Sequence, residues 1–177
     1  MRCKWVNIKN PLYVKYHDEE WGKPCHDEHM LYELFILETF QAGLSWECIL
    51  NKREFFREAY DNFNLNKVIN YDENKINELL NNKKIIRNRY KIRYSILNSI
   101  IYKNIVNEYG SFSNYIWGFS NNKAITYNDN RVTSELSDRI SKDLVNRGMK
   151  FVGSVTIFSY LQAIGIINSH DKDCDFK

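Results

Sequence analysis

The spacing of apolar residues is helical along most of the chain, and the strict alternation that marks a half-buried strand is nearly absent. A clear example begins after Asp27 and ends at Gly43. Within it, Leu31, Leu34 and Phe35 recur on one helical face. Aspartate is favoured at the N-cap of a helix, and glycine is favoured just beyond a helix end. The pattern therefore predicts an all-α fold.

Six further helical segments are predicted after Gly43. They run from Ser45 to about Tyr60, from Asp72 to Leu80, from about Asn88 to Glu108, from Phe112 to Phe119, from Ser137 to Arg147 and from Ser154 to Ile164. The longest of them has a predicted buried stripe of Ile92, Ile96, Ile100 and Ile101. The last is so rich in β-branched residues that a buried strand is its alternative. The polar stretch 120–130 is predicted to be a loop.

The composition fits one compact domain over residues 1–177. At 44% hydrophobic and 27% charged residues, the chain is too apolar for intrinsic disorder. No apolar run reaches the roughly 18 residues that span a bilayer, and the first residues lack the apolar segment of a secretory signal. We therefore expect a monomer without membrane association, located in the cytoplasm, and at the nucleoid if the source is bacterial. The net charge of +3 permits an anionic partner without requiring one.

The strongest charge asymmetry lies between two predicted helices. Residues 83–93 carry six positive charges and no negative charge. Backbone N–H groups at the start of a helix, together with nearby lysine and arginine, are suited to bind a DNA phosphate. An ordinary solvated helix end with clustered cations fits the charges equally well. The candidate DNA-binding residues in this segment are Lys84, Arg87, Arg89 and Lys91.

Four potential metal ligands lie toward the two ends of the chain. They are Cys3, His17, His170 and Cys174. Two thiolates and two imidazoles form a common tetrahedral zinc set, and a site filled by four protein ligands is structural because no position is open to water. On spacing alone, two ordinary cysteines and two surface histidines remain the more common case. A rival group of Cys25, His26 and His29 lacks an evident fourth ligand.

One carboxylate is predicted to face inward among aromatic residues. Glu38 follows the apolar stripe of its helix, with Tyr13, Tyr16 and Trp21 before it and Trp46 after it. A buried carboxylate without a partner is energetically costly. It can accept hydrogen bonds from tyrosine or tryptophan and be structural. Alternatively, it can form a pocket with the aromatic rings for a flat cationic ligand. The residues alone leave both interpretations open.

Several motifs, taken in order, resemble one enzyme family over nearly the full length. They are Cys3-Lys4-Trp5-Val6, Pro11-Leu12-Tyr13, Tyr16-His17-Asp18-Glu19-Glu20-Trp21-Gly22, Leu37-Glu38, Gln41-Ala42-Gly43-Leu44-Ser45-Trp46, Ile85-Ile86-Arg87-Asn88-Arg89, Lys91-Ile92, Lys150-Phe151-Val152-Gly153 and Gln162-Ala163, with His170 and Cys174. With them the chain resembles 3-methyladenine DNA glycosylase I, of the helix-hairpin-helix superfamily. The resemblance implies a helix-hairpin-helix region at about residues 73–108 and one structural zinc that joins the two ends of the chain.

The resemblance also implies an activity and its residues. The chain would bind double-stranded DNA with alkylated bases and release 3-methyladenine by hydrolysis, as a monofunctional glycosylase in base-excision repair. Glu38 would be the catalytic residue and would line the base pocket with Tyr16 and Trp46. Tyr13 and Trp21 would lie close by. The Gly43-Leu44 turn would approach the DNA, with Leu44 as an apolar wedge.

Three positions depart from the family pattern. Lys84 and Thr39 stand where glycine is common, and Tyr90 stands where glycine or an aliphatic residue is common. A positive φ at residue 84 would suit lysine poorly. The competing function is a non-enzymatic, zinc-stapled module that binds DNA, in which the aromatic cluster is only core. A third class is a zinc-organised protein-interaction domain, which would lack salt-dependent affinity for DNA.

Overall fold

The computed structural model describes residues 1–177 and is mostly helical, as the sequence predicts. Its ten α-helices are α1 (Pro11–Glu19), α2 (Glu28–Gln41), α3 (Trp46–Leu50), α4 (Arg53–Ala59), α5 (Leu65–Val68), α6 (Glu73–Asn81), α7 (Arg89–Tyr109), α8 (Phe112–Gly118), α9 (Glu135–Asn146) and α10 (Ser154–Ala163). A short 3-10 helix, Asp61–Phe63, precedes α5. The only strands are β1 (Ile125–Thr126) and β2 (Ile167–Asn168), which pair in parallel.

Helix starts are set by side-chain caps at positions that the sequence identifies. Asp27, Ser45 and Asp72 each accept a hydrogen bond from the backbone N–H three residues later, at the starts of α2, α3 and α6. The segment predicted from Ser45 to Tyr60 is, however, two helices. Helix α3 ends in a turn in which the Lys52 N–H donates a hydrogen bond to the carbonyl oxygen of Ile49, three residues earlier. Helix α4 then begins without a side-chain cap.

The inner face of α7 differs from the predicted stripe. Ile92 and Ile96 are buried, but Ile100 is 42% exposed. Small polar residues also occupy the inner face, where their hydroxyl groups lie within hydrogen-bond distance of buried tyrosines from other parts of the chain. The hydroxyl of Ser95 lies 3.0 Å from that of Tyr60, and the hydroxyl of Ser99 lies 2.6 Å from that of Tyr32.

One continuous cluster of 44 buried hydrophobic residues forms the core. Helix α10 packs against α2 and α9, so it is central, and the strand alternative for this segment is wrong. The predicted loop at residues 120–130 contains β1, which pairs with β2 after α10. No helix combines the length and the apolar character needed to cross a membrane.

The basic segment lies where the sequence places it, in the turn between α6 and α7. The Asn82 side chain accepts a hydrogen bond from the Lys84 N–H at 3.0 Å, and Asn88 caps α7. Lys84 is not among the residues with positive φ. Lysine in place of glycine therefore adds no backbone strain at this position.

Candidate functional site

A surface cavity of about 560 Å³ gathers the aromatic residues and the carboxylate singled out in the sequence. Helix α1 contributes Tyr13 and Tyr16, and Trp21 follows it. Helix α2 contributes Glu38, and Trp46 begins α3. The side chains come from three helices and one connection, so the cavity exists only in the folded chain. It is neither filled by side chains nor closed from solvent.

Glu38 is a buried acid without a partner. Its side chain faces the cavity at 3% exposure, and its Oε2 atom has no hydrogen-bond partner. Burial raises the pKa of Glu38 well above the ordinary value, because no cation or donor offsets the lost hydration. Burial thus disfavours the charged form of Glu38 relative to a solvated glutamate. This arrangement stabilises neither the fold nor the charge, and it leaves a hydrogen-bonding group free for a ligand.

A second acid on the same helix shows the contrast. Glu33 is also buried, but Arg53 Nε lies 2.5 Å from its Oε1 and Arg57 Nη2 lies 2.7 Å from the same atom. Burial alone would raise the pKa of Glu33, but the hydrogen bonds and charges of the two arginines lower it overall. Glu33 is thus a structural acid, held by an ion network. Glu38, five residues on, has no such support.

Two aromatic rings flank the carboxylate. The ring centroids of Tyr16 and Trp46 lie 5.2 Å apart with a tilt of 52°. Burial raises the pKa of Tyr16 well above the ordinary value, so its phenol stays neutral. The indole Nε1 of Trp46 has no hydrogen-bond partner. The wall therefore offers aromatic faces, a free N–H and an unpartnered carboxyl group to one small flat ligand.

Sequence reasoning missed several lining residues. Trp5 packs on Trp21, with ring centroids 4.8 Å apart, and lines the cavity although its position in the sequence does not predict this. Ser159 and Gln162 of α10 also line it. They are polar residues three apart in the apolar second half of the helix, and that pattern is a usable signal for a cavity wall. The loop 127–132 forms the outer rim, and nothing in its sequence marks it as such.

The four candidate metal ligands converge beside this cavity. Their ligand atoms all lie within 4.8 Å of one another, and Cys3, His17, His170 and Cys174 are all buried. The Nε2 atom of His170 has no hydrogen-bond partner. The Nδ1 atom of His17 lies 2.8 Å from a carboxylate oxygen of Asp18, which leaves Nε2 directed at the cluster. This set of two sulfur and two nitrogen donors fits a tetrahedral metal ion.

The cluster and the cavity share a wall. Trp21 packs against both imidazoles, with ring centroids 6.1 Å from His17 and 4.6 Å from His170. Gly22 has a φ of +74°, and a Cβ there would lie 2.6 Å from the His170 ring. Only glycine fits both the backbone and the space at this position.

The candidate DNA-binding residues fall into two groups. Lys84 and Arg87 are exposed in the turn between α6 and α7, and Arg89 is exposed at the start of α7. Gly43 has a φ of +79° with open space around it, and Leu44 is 39% exposed. These two residues lie between Gln41 and Trp46, which both line the cavity, so the turn is adjacent to the cavity.

Lys91 does not join the exposed group. It is only 9% exposed, and its Nζ atom donates hydrogen bonds to the carbonyl oxygens of Phe40, at 2.8 Å, and Ala42, at 2.6 Å. The prediction that Lys91 belongs with the cations free to bind phosphate is therefore not supported by its position. Burial lowers the pKa of Lys91 from its ordinary value.

Comparison with known sequences decides the family. A family model described as Methyladenine glycosylase matches residues 5–177. The chain belongs to this family. It is 38% identical over 178 residues to DNA-3-methyladenine glycosylase 1 of Escherichia coli K12, covering 98% of this chain and 95% of that protein. The family predicted from the sequence motifs is thereby confirmed.

Solved structures agree with this membership. A crystal structure of 3-methyladenine DNA glycosylase I matches with a TM-score of 0.94 at 36% identity, covering 99% of this chain and 98% of that one. A variant of 3-methyladenine DNA glycosylase I in complex with 3-methyladenine matches with a TM-score of 0.92 at 36% identity, covering 96% of this chain and 94% of that one.

Proposed function

We infer that this chain is a DNA-3-methyladenine glycosylase of base-excision repair. It hydrolyses the N-glycosidic bond of 3-methyladenine in alkylated double-stranded DNA, releases the free base and leaves an abasic site. The observation that carries this conclusion is the unpartnered, buried carboxyl group of Glu38 in an open aromatic cavity. Family membership and a relative solved with 3-methyladenine support it. A monomeric state and a cytoplasmic location stay predictions.

The lesion itself supplies much of the reactivity. A base inside the duplex cannot reach this cavity, so it must be extruded, at a cost of a few kcal/mol that is lowest for a damaged base. Methylation at N3 gives the adenine a positive charge, and the base then leaves as a neutral molecule. A general acid is therefore not required. Selection begins with this charge, because a neutral, undamaged base gains less from aromatic faces beside a carboxyl group.

The cavity residues act on the cation in two ways. Tyr16 and Trp46 stack against the base, at about 1–3 kcal/mol per base for such contacts. Glu38 accepts hydrogen bonds from the base edge. Arrival of the cation reverses the effect of burial on Glu38, because an opposite charge nearby favours the carboxylate. The ionised acid then stabilises positive charge as it spreads from the base to the sugar.

Water completes the reaction, without a covalent enzyme intermediate. A lysine that attacks the sugar must be unprotonated, and burial or a neighbouring cation usually makes it so. The lysines at the cavity rim, Lys4 and Lys172, are exposed. Neither is buried within the cavity. We propose that Glu38 is the residue best placed to orient the attacking water.

Base release from methylated duplex DNA tests this function. We expect free 3-methyladenine to appear on incubation, the strand to remain uncut until the abasic site is cleaved by alkali, and no adduct to be trapped by borohydride. The competing non-enzymatic module would bind the same DNA and release no base. A trapped adduct would instead show a lysine nucleophile and overturn the monofunctional mechanism.

We propose that the Cys3, His17, His170 and Cys174 cluster holds one zinc ion. The donor set, the burial and the unpartnered His170 Nε2 support this proposal. Bound zinc would supply a structural cross-link, since four protein ligands leave no position for a reactive water. It would fix the segments that carry Trp5, Trp21 and the cavity wall around His170.

The hairpin between α6 and α7 is proposed to bind the DNA backbone, with Leu44 as the wedge that enters the stack beside the extruded base. An Arg87→Met, Arg89→Met double variant is expected to weaken affinity for all duplexes alike. The slope of log affinity against log salt should fall by about 0.9 for each phosphate that an arginine no longer neutralises. The exposed Lys142 of α9 gives a control, Lys142→Met. An unchanged slope in the double variant would remove both arginines from the interface.

A further inference from the structure

The side chain of Lys91 connects the start of α7 to the end of α2. It lies in the first turn of α7, directly after the exposed cations of the hairpin, yet its side chain runs inward. Its ammonium group is within 2.8 Å of the Phe40 carbonyl oxygen and 2.6 Å of the Ala42 carbonyl oxygen. Both acceptors belong to the end of α2.

The C-terminal end of a helix has carbonyl groups without intrahelical partners and carries a partial negative charge. At the end of α2 the chain leaves the helix at Ala42, with φ −45° and ψ 114°, and turns at Gly43. One backbone bond, from the Leu44 N–H to the Gln41 carbonyl at 2.6 Å, closes this turn. Lys91 satisfies two more carbonyls of the same segment.

Nothing packs against the outer side of the turn. A Cβ built at Gly43 meets no atom within 4 Å, and the side chain of Leu44 is 39% exposed. The ammonium group of Lys91 therefore contacts the turn on its buried side, and no side chain packs against Gly43 on the solvent side. A buried cation is a costly way to fill space, and an apolar side chain of similar volume is often at least as stabilising. An apolar side chain, however, cannot make the two hydrogen bonds that Lys91 donates to these carbonyl oxygens.

The turn and the hairpin are thus connected through one side chain. Helix α7 begins at the hairpin, α2 carries Glu38, and the turn leads directly to Trp46. We propose that Lys91 is a positioning residue that fixes the Gly43-Leu44 turn relative to the hairpin, so that backbone binding and insertion of Leu44 occur in one rigid unit. This inference rests on the proposed function, because it assigns a role within base extrusion.

A Lys91→Met variant tests the proposal with two substrates. We expect the kcat for excision from methylated duplex DNA to fall about tenfold or more. The affinity for free 3-methyladenine, followed by quenching of tryptophan fluorescence, should stay within about twofold, because the free base does not have to be extruded. Lys91→Arg keeps the charge and the donors and should recover part of the excision rate. Lys142→Met on α9 is the matched control and should behave as wild type.

Combining the change with Leu44→Ala separates positioning from general stability. If Lys91 acts through the turn, Lys91→Met should reduce excision much less in the Leu44→Ala background than in the wild type, since interacting sites are not additive. Equal losses in both backgrounds, or a parallel loss of free-base affinity, would overturn the proposal. Should Lys91→Met fail to fold, Lys91→Gln, which loses the charge and keeps one shorter donor, replaces it: unchanged duplex excision overturns the proposal, and reduced excision with intact free-base binding supports it. Absence of base release by the wild type would instead refute the proposed function.

Discussion

A Glu38→Gln variant should excise 3-methyladenine about 10- to 100-fold more slowly than the wild type, because it loses a charged hydrogen bond of ~1.5–3 kcal/mol to the cationic base. Glutamine keeps the size and one acceptor oxygen, so the shape of the cavity is retained. The loss should appear in single-turnover rates on methylated duplex DNA. An unchanged rate would remove Glu38 from the chemistry.

Although Glu38→Gln should lower activity, it is not expected to lower stability. Because burial raises the pKa of Glu38 in the folded state above its ordinary 4.5, the folded protein binds more protons than the unfolded chain above that pH. The free energy of unfolding of the wild type therefore falls as the pH rises from about 4.5 toward the folded pKa. Glutamine does not titrate. We expect Glu38→Gln to melt at or above the wild-type temperature at neutral pH, with the difference shrinking as the pH approaches 4.5.

Glu33→Gln is the matched control on the same helix. Removing one partner of a buried ion network costs about 3–5 kcal/mol, so this variant should melt well below the wild type. Glu33 does not line the cavity, and the folded fraction should keep its excision rate. A fall in melting temperature for Glu38→Gln as large as that for Glu33→Gln would make Glu38 a structural residue.

Metal removal should give the largest change in stability. A chelator, or Cys174→Ser, is expected to lower the melting temperature by more than about 10 °C, because structural zinc contributes several kcal/mol and each kcal/mol shifts the midpoint of a chain this long by about 2–4 °C. Elemental measurement should find one zinc per chain. Excision should decline only as the protein unfolds, since a zinc ion with four protein ligands would have no position open to substrate or water.

Cys48→Ser provides the control for the metal cluster. Cys48 is a free cysteine outside the cluster, so this variant should keep both its zinc and its melting temperature. A metal-free wild-type protein with an unaltered melting curve in chelator would contradict the zinc proposal. The cluster would then be two thiols and two imidazoles packed in the core.

Local features of the fold were predictable because they depend on nearby residues. Caps such as Asp27, Ser45 and Asp72 act within three residues, and helical periodicity extends over a few turns. The inner face of α7 was not predictable in this way. Ile100 is exposed, and the inner face carries Ser95 and Ser99, whose partners Tyr60 and Tyr32 lie far away in the sequence.

In the candidate site, too, some residues were predictable from the sequence and others depend on distant parts of the chain. The motifs pointed to Glu38, Tyr16 and Trp46, and the structure brings them to one cavity. Lys91 shares its charge with exposed neighbours and was predicted to share their role. Its partners are two backbone carbonyl groups about fifty residues away. Because every residue has a backbone carbonyl group, the sequence does not identify them as partners. The same holds for the rim at residues 127–132, which is set by the pairing of β1 with β2.

The serines on α7 also determine how firmly that helix is seated. Contacts between aliphatic side chains have no preferred direction, whereas an O–H···O bond depends on both distance and angle. Ser95 and Ser99 are bonded to tyrosines from two different segments of the fold. These bonds restrain the sliding and rotation of α7, so the position of the basic turn at its start depends on bonds in the core.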